Sequence, residues 1–371
     1  MLAPAVADAI DLSRVRRVLV IKLRHHGDVL LASPVCTVLQ RAAPQAEIDA
    51  LVYRETLPML AGHPAIRVLH AIDRAAKQRG LRAQLAAEWR LLRALRARRY
   101  DLVVHLTEHP RGAWLKLLLG AGAGVAPERE RGGFWWRRAF AHRYPLPRAT
   151  PRHTVETNLD ALRRIGIWPE PRDKALVLVP GEAAQARVAA LLAEHRLERR
   201  RFVVVHPGSR WLFKCWPAAA TAAIIDRLAA DGWAIVLTGA PDPAERALVA
   251  AVRAATRASV VDLVGELTLP ELAALIGAAR LFFGVDSAPM HMAAAMGTPT
   301  VALFGPSGDA EWGPWRVPHR VVASTAHCCR PCGNNGCGGS NHSDCLLTLP
   351  DVRVAAAIED LLAETGSTSP Q

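Results

Sequence analysis

Residues 18–34 read Val-Leu-Val-Ile-Lys-Leu-Arg-His-His-Gly-Asp-Val-Leu-Leu-Ala-Ser-Pro. An apolar, β-rich run from Val18 to Leu23 meets a polar turn, Arg24 to Asp28, and the chain then continues from Val29 to Ala42 with apolar residues at helical spacing. Strand, tight turn and helix in this order make one βα unit, and strands that alternate with helices build a parallel sheet. The same theme recurs outward from this stretch. Strands are expected at Ile48–Tyr53 and Leu102–Leu106, with a long basic helix at Arg82–Arg98. It restarts in the second half: strands at Phe202–His206, Ala234–Thr238, Val260–Leu263, Leu281–Val285 and Thr300–Phe304, and helices at Ala218–Ala230, Pro243–Arg253, Pro270–Ala278 and Ala288–Met296. The expectation is an α/β protein of two doubly wound domains facing each other across a cleft, with ligands beyond the carboxyl ends of the strands.

Gly120 to Pro151 interrupts the pattern with scattered Gly and Pro around Phe134, Trp135, Trp136, Arg137 and Arg138, and reads as loop-rich and half-buried. His153–Ile165 is a helix candidate, and Trp168 to Asp173, with two prolines, has the composition of a linker. The domains are therefore expected at 1–172 and 173–349, with 350–371 supplying a helix, Asp351–Glu364, that returns toward the first domain, and a disordered tail.

A chain of 371 residues is long for one compact core. With 51% hydrophobic and 22% charged residues it is far from the composition of disorder. The formal charge of +12, carried mostly by Arg, favours an anionic partner. Nucleic acid is disfavoured, because no helix-turn-helix or RNP pattern accompanies the charge and only three Tyr are present. A phosphorylated substrate or a phospholipid surface remains. No signal peptide and no apolar run of about 18 residues is evident, so a cytoplasmic location is expected.

Four loops at strand ends carry candidate chemistry. In the first, Asp28 follows Gly27 at the N-cap of a helix, where it is either a cap or a general base facing the cleft. In the second, His206-Pro207-Gly208-Ser209-Arg210 precedes Lys214 and Trp216-Pro217; Ser209 and Lys214 suit a diphosphate, and an ordinary turn with surface cations is the plainer alternative. In the third, Asp286 or Ser287 caps a helix that contains His291, and the free amides of that end bind anions. Asp286 is unexpected beside an anion, which suggests that it orients amides or a hydroxyl. In the fourth, Glu245 lies just after Leu237-Thr238-Gly239, either to receive a ribose or simply to suit the helix dipole. Five of the seven cysteines cluster late. Cys328, Cys332, Cys337 and Cys345 are a possible zinc set of irregular spacing, with reduced, loop-packed thiols as the alternative.

These motifs, in this order from about Arg17 to Leu349, resemble glycosyltransferase family 9, the ADP-heptose:lipopolysaccharide heptosyltransferases. Phe213-Lys214-Cys215-Trp216, Asp286-Ser287-Ala288-Pro289 and Glu311-Trp312-Gly313-Pro314-Trp315 look most like the branch that adds the third heptose. The resemblance implies the two-domain GT-B architecture and an inverting, metal-independent transfer from ADP-heptose, with no cofactor beyond that donor. Asp28 matches the family's base. Lys214, Ser209, Ser287, Asp286 and His291 match positions around the diphosphate, and Glu245 matches a ribose or adenine contact. The acceptor implied is a lipid-linked, phosphorylated core oligosaccharide at the cytoplasmic face of the inner membrane, with peripheral membrane contact. Arg93, Arg96, Arg98, Arg137, Arg138, Trp135 and Trp136 of the first domain are candidates to meet it. Another heptosyltransferase branch, a GT-B transferase with a different donor, and a non-catalytic nucleotide-sugar binder are the competing readings.

Overall fold

A computed structural model describes residues 6–130, 132–146 and 150–366. The chain divides into two compact units, Met1–Val179 and Pro180–Gln371. The first carries β1 (Arg17–Ile21), β2 (Glu47–Tyr53), β3 (Ile66–Ile72), β4 (Leu102–His105), β5 (Ala123–Pro127) and β6 (His142–Tyr144), all parallel, in the order β3-β2-β1-β4-β5-β6. The second carries β7 (Phe202–His206), β8 (Ala234–Leu237), β9 (Val261–Asp262), β10 (Leu281–Val285), β11 (Thr300–Phe304) and β12 (His319–Ala323), also parallel, in the order β12-β11-β10-β7-β8-β9. Each sheet starts in its middle, winds one way for two strands, then returns and winds the other way. The two sheets thus share one doubly wound topology.

That topology locates the chemistry. Where the winding reverses, the loops leaving the two central strands diverge and open a crevice at the carboxyl edge. In the first unit these loops follow β1 and β4, and in the second they follow β7 and β10. The central strands are fully buried apolar runs, as Phe202, Val203, Val204 and Val205 illustrate, because helices cover both faces of a parallel sheet. The helix Ala218–Ala230 sets Ile224, Ile225 and Leu228 into the second core, and the helix Leu269–Ala278 is started by a Thr268–Glu271 capping box worth about 1 kcal/mol.

Four expectations need correction. The stretch from Gly120 to Pro151 is more regular than expected: between its loops it carries β5, the helix Gly133–Ala139 and β6, with Trp136 buried and its indole N–H donating to the Pro127 carbonyl at 3.1 Å; residues 131 and 147–149 lie outside the described residues. The helix expected at Val29–Ala42 is two, His26–Leu30 and Ser33–Ala42. The segment read as a linker belongs to the first unit, because Arg41 pairs with Asp173 at 2.8 Å and also with Glu170. Finally, the helix Asp351–Gly366, expected to turn toward the first domain, packs within the second unit. Its buried Val354, Ala355, Ile358 and Leu361 complete the second core, and Arg320 and Arg280 bind its far end through Glu364 and the Leu362 carbonyl. The tail beyond Gly366 is outside the described residues.

Candidate active site

In the first unit, β1 delivers Asp28 into the first turn of the helix His26–Leu30, where His25 rather than Asp28 occupies the N-cap position. The carboxylate is therefore not consumed as a cap. Its ion pair with Arg24 is long, 3.8 Å, and the Arg24 side chain is largely exposed. Lys22 lies buried, its ammonium donating to the Leu106 carbonyl at 3.2 Å and to Asn158 Oδ1 at 2.9 Å, while Asn158 donates onward to the Leu31 carbonyl at 3.0 Å. These bonds tie the end of β1, the loop after β4 and the end of the Asp28 helix into one network. Burial pushes the Lys22 pKa down to about 8, against the opposing pull of the Asp28 carboxylate.

The loop after β4 brings His109 to the same edge as the N-cap of the helix Pro110–Leu119, its Nδ1 accepting from the Arg111 amide at 3.2 Å. Partial burial lowers the His109 pKa, and the nearby charges of Arg111, Arg129 and Arg24 lower it further. Sequence reading did not single out this cationic group. Its members are separated along the chain, and a strand-end His followed by Pro was the one signal available.

In the second unit the loops after β7 and β10 meet. Lys214 Nζ and Asp286 Oδ2 stand 2.5 Å apart, and the same ammonium lies 5.1 Å from the centre of the Trp211 ring. Asp286 is buried and orients an ammonium, not amides or a hydroxyl as its sequence position suggested. Ser287 is the N-cap residue of the helix Ala288–Ala295. Its hydroxyl donates back to the Val285 carbonyl at 3.1 Å and does not cap the helix, so the first-turn amides are left without a side-chain cap beside the Lys214 charge. An uncapped helix end next to an ammonium is a binding place for a phosphate group. His291 is buried within that helix. Ser209 is also buried, with its Oγ accepting from the Trp211 amide at 3.4 Å, so it shapes the loop.

Glu245 comes close to the β7 loop: a Cβ on Gly208 would stand 2.6 Å from Glu245 Oε2, so glycine is the residue that admits this approach. Burial raises the Glu245 pKa, and the Ala240 amide, donating to Oε2 at 2.9 Å, opposes the rise. His206 Nε2 lies 3.8 Å from the same oxygen, and burial lowers the His206 pKa to about 4. The second switch point thus gathers Ser209, Lys214, Glu245, Asp286 and Ser287.

Other candidates fall elsewhere. Arg98 is committed inward to buried Asp49 at 2.7 Å and to Glu47 at 2.8 Å, which removes it from any acceptor surface; Trp136 is buried as well. Arg93, Arg96, Arg137, Arg138 and Trp135 remain exposed. All the cysteines are free thiols. Cys329, Cys332 and Cys337 lie near Cys345, whose thiol pKa is raised chiefly by burial, yet among the described residues no three His, Cys, Asp or Glu side chains converge as a metal site.

Comparison with known proteins agrees with this arrangement. The model of glycosyltransferase family 9 (heptosyltransferase) matches residues 88–341. Lipopolysaccharide heptosyltransferase 3 of Escherichia coli is 37% identical over 295 residues, covering 79% of this chain and 84% of that protein. Lipopolysaccharide heptosyltransferase 1 of Pseudomonas aeruginosa is 25% identical over 86% of this chain and 87% of its own length. Among solved structures, the family 9 glycosyl transferase from Veillonella parvula superposes with a TM-score of 0.79 at 23% identity, covering 94% of this chain and 98% of that one. The E. coli heptosyltransferase WaaC, solved with ADP, does so with a TM-score of 0.71 at 20% identity over 93% of this chain and 99% of its own. Two doubly wound sheets, loops converging at both switch points, and a family match over more than half the chain lead to one conclusion: this chain is a glycosyltransferase and belongs to family 9, the heptosyltransferases.

Proposed function

We propose that the chain transfers heptose from ADP-heptose to a heptose of the lipopolysaccharide inner core, adding the third, side-branch heptose with inversion and without a metal ion. The observation that carries this reading is the Lys214–Asp286 pair at the uncapped end of the helix Ala288–Ala295. It holds an ammonium in a fixed position beside open amides, the kind of donor set that suits a leaving diphosphate, and preorganised donors of this kind are commonly the largest contribution to such catalysis. The similarity to E. coli lipopolysaccharide heptosyltransferase 3 favours the side-branch assignment.

In this mechanism the Asp28 carboxylate accepts the proton of the acceptor hydroxyl as its oxygen attacks the anomeric carbon of the donor. The new C–O bond forms as the bond from that carbon to the β-phosphate oxygen breaks, and ADP departs with the electron pair. Attack opposite the leaving group inverts the anomeric centre. Lys214 and the amides around Ser287 take up the charge of ADP, Asp286 aims Lys214, and Glu245 receives the nucleoside. The cationic group of Arg24, Arg111 and Arg129 suits a phosphorylated acceptor, held at the cytoplasmic face of the inner membrane.

Mass-tagged ADP-heptose tests the reading: label must move into isolated lipopolysaccharide core, with ADP released in equal amount. A strain lacking the protein is expected to lose the side-branch heptose only. Truncation at the first heptose contradicts the branch assignment, and binding of donor without transfer contradicts the activity.

A further inference from the structure

One face of the first unit exposes apolar side chains that its own fold leaves uncovered. On the helix Leu81–Arg98, Leu81, Leu85 and Trp89 follow at intervals of four, within one sector because each step advances about 40° around a helix. They are 71%, 59% and 64% exposed. The neighbouring helix Pro110–Leu119 adds exposed Trp114 and Leu118, again four apart, and the helix Gly133–Ala139 adds Phe134 and Trp135. The Trp114 and Trp135 rings lie 5.4 Å apart and the Phe134 and Trp135 rings 5.5 Å apart, and the helix Leu81–Arg98 adjoins this cluster through the Glu88–Arg111 pair and through Arg96, which donates to the Leu118 carbonyl at 3.0 Å. Large contiguous apolar patches mark interaction surfaces.

The charge around it says what the partner is. These three helices carry a single carboxylate, Glu88, and Arg111 neutralises it. Arg82, Arg90, Arg93, Arg137 and Arg138 are exposed, and among the described residues none of them has a carboxylate within ion-pair distance. Trp, Phe and Leu inside an arginine rim make the composition that sinks into the boundary between headgroups and acyl chains of an anionic bilayer. No helix among the described residues is long and apolar enough to cross a membrane, so surface seating is the mode that fits. The patch also adjoins the candidate acceptor edge, because Arg111 belongs both to its border and to the charges around His109.

The geometry points to this face, built by residues 81–98, 110–119 and 133–139, as the seat of the protein on an anionic phospholipid surface. The assignment rests on the proposed lipid-linked acceptor for its purpose but not for its test. The test is flotation of the full chain with vesicles of phosphatidylcholine, with and without phosphatidylglycerol. The protein is expected to float with the phosphatidylglycerol vesicles, less so as salt rises, and not with phosphatidylcholine alone. L85S/F134S lowers partitioning about tenfold with an unchanged melting temperature, since both side chains are exposed. R137E/R138E removes the preference for phosphatidylglycerol. Transfer to a water-soluble, delipidated acceptor stays at the wild-type level in L85S/F134S. Failure of that transfer in the wild type would count against the proposed activity, whereas the flotation result reports on the surface alone. Absence of vesicle binding, equal partitioning of wild type and L85S/F134S, or a wild-type dimer that L85S/F134S dissociates would each overturn the assignment.

Discussion

Asp28 and Asp286 both lie beyond the carboxyl end of one of the two central strands of a doubly wound sheet, β1 and β10, Asp28 inside the first turn of a helix and Asp286 immediately before the N-cap of another. Their surroundings differ. Asp286 is fixed 2.5 Å from Lys214, whereas the ion pair of Asp28 is a 3.8 Å contact with a largely exposed arginine, and the buried Lys22 ammonium that feels its charge is bonded to Leu106 and Asn158. A carboxylate locked to an ammonium cannot readily serve as a base, but it can hold that ammonium in register. A carboxylate with a loose partner stays available for a proton. In the proposed mechanism one residue type, each time beyond a central strand, serves two tasks, and the partner decides which.

The largest break in this comparison is expected from Asp28→Asn, which removes the base and leaves donor binding: kcat falls about a thousandfold in a mass-tagged transfer assay while the KM for ADP-heptose changes little. Lys214→Ala acts on the other side. It removes the charge on the leaving group and strands buried Asp286, so kcat/KM falls about a hundredfold and ADP binding by calorimetry weakens; Lys214→Arg restores part of both.

A third prediction treats the two units alike. His105 and His206 are each buried and held to a pKa of about 4 by that burial. With folded values below the unfolded value near 6.5, both stay neutral in the fold while the unfolded chain takes up protons as pH falls. Stability is therefore whole above about pH 6.5 and declines toward pH 4, by about 2 kcal/mol per histidine at pH 5, measurable as a falling denaturation midpoint. The smallest effect is expected from Gly208→Ala, whose new methyl group meets Glu245 Oε2. It should cost about 1–2 kcal/mol in thermal melting, with some loss of ADP affinity as Glu245 moves off the Ala240 amide.

Much of this fold was readable in sequence; β5, an interior strand among scattered Gly and Pro, was not, and three other missed strands share a cause. Phe202–His206, Leu281–Val285 and Thr300–Phe304 are continuous apolar runs because both their faces are covered, and the structure places strands at those residues. Ile66–Ile72, His142–Tyr144 and His319–Ala323 escaped notice. They are edge strands that pair on one side, and His70, Arg67, Arg143 and Arg320 break up their patterns. In the site, Asp28, Lys214, Glu245 and Asp286 were visible one by one as polar residues at strand ends. What joins Lys214 to Asp286, 72 residues away, or gathers Arg24, His109, Arg111 and Arg129 is the sheet order, and local periodicity carries no record of that.

The division of labour between the two aspartates is tested most directly by measuring ADP affinity and single-turnover transfer at saturating donor side by side in Asp28→Asn and Asp286→Asn. The expected result is wild-type ADP affinity without transfer in the first, and weakened affinity with transfer retained in the second. Undiminished transfer by Asp28→Asn, or an equally complete loss in Asp286→Asn at saturating donor, would contradict it.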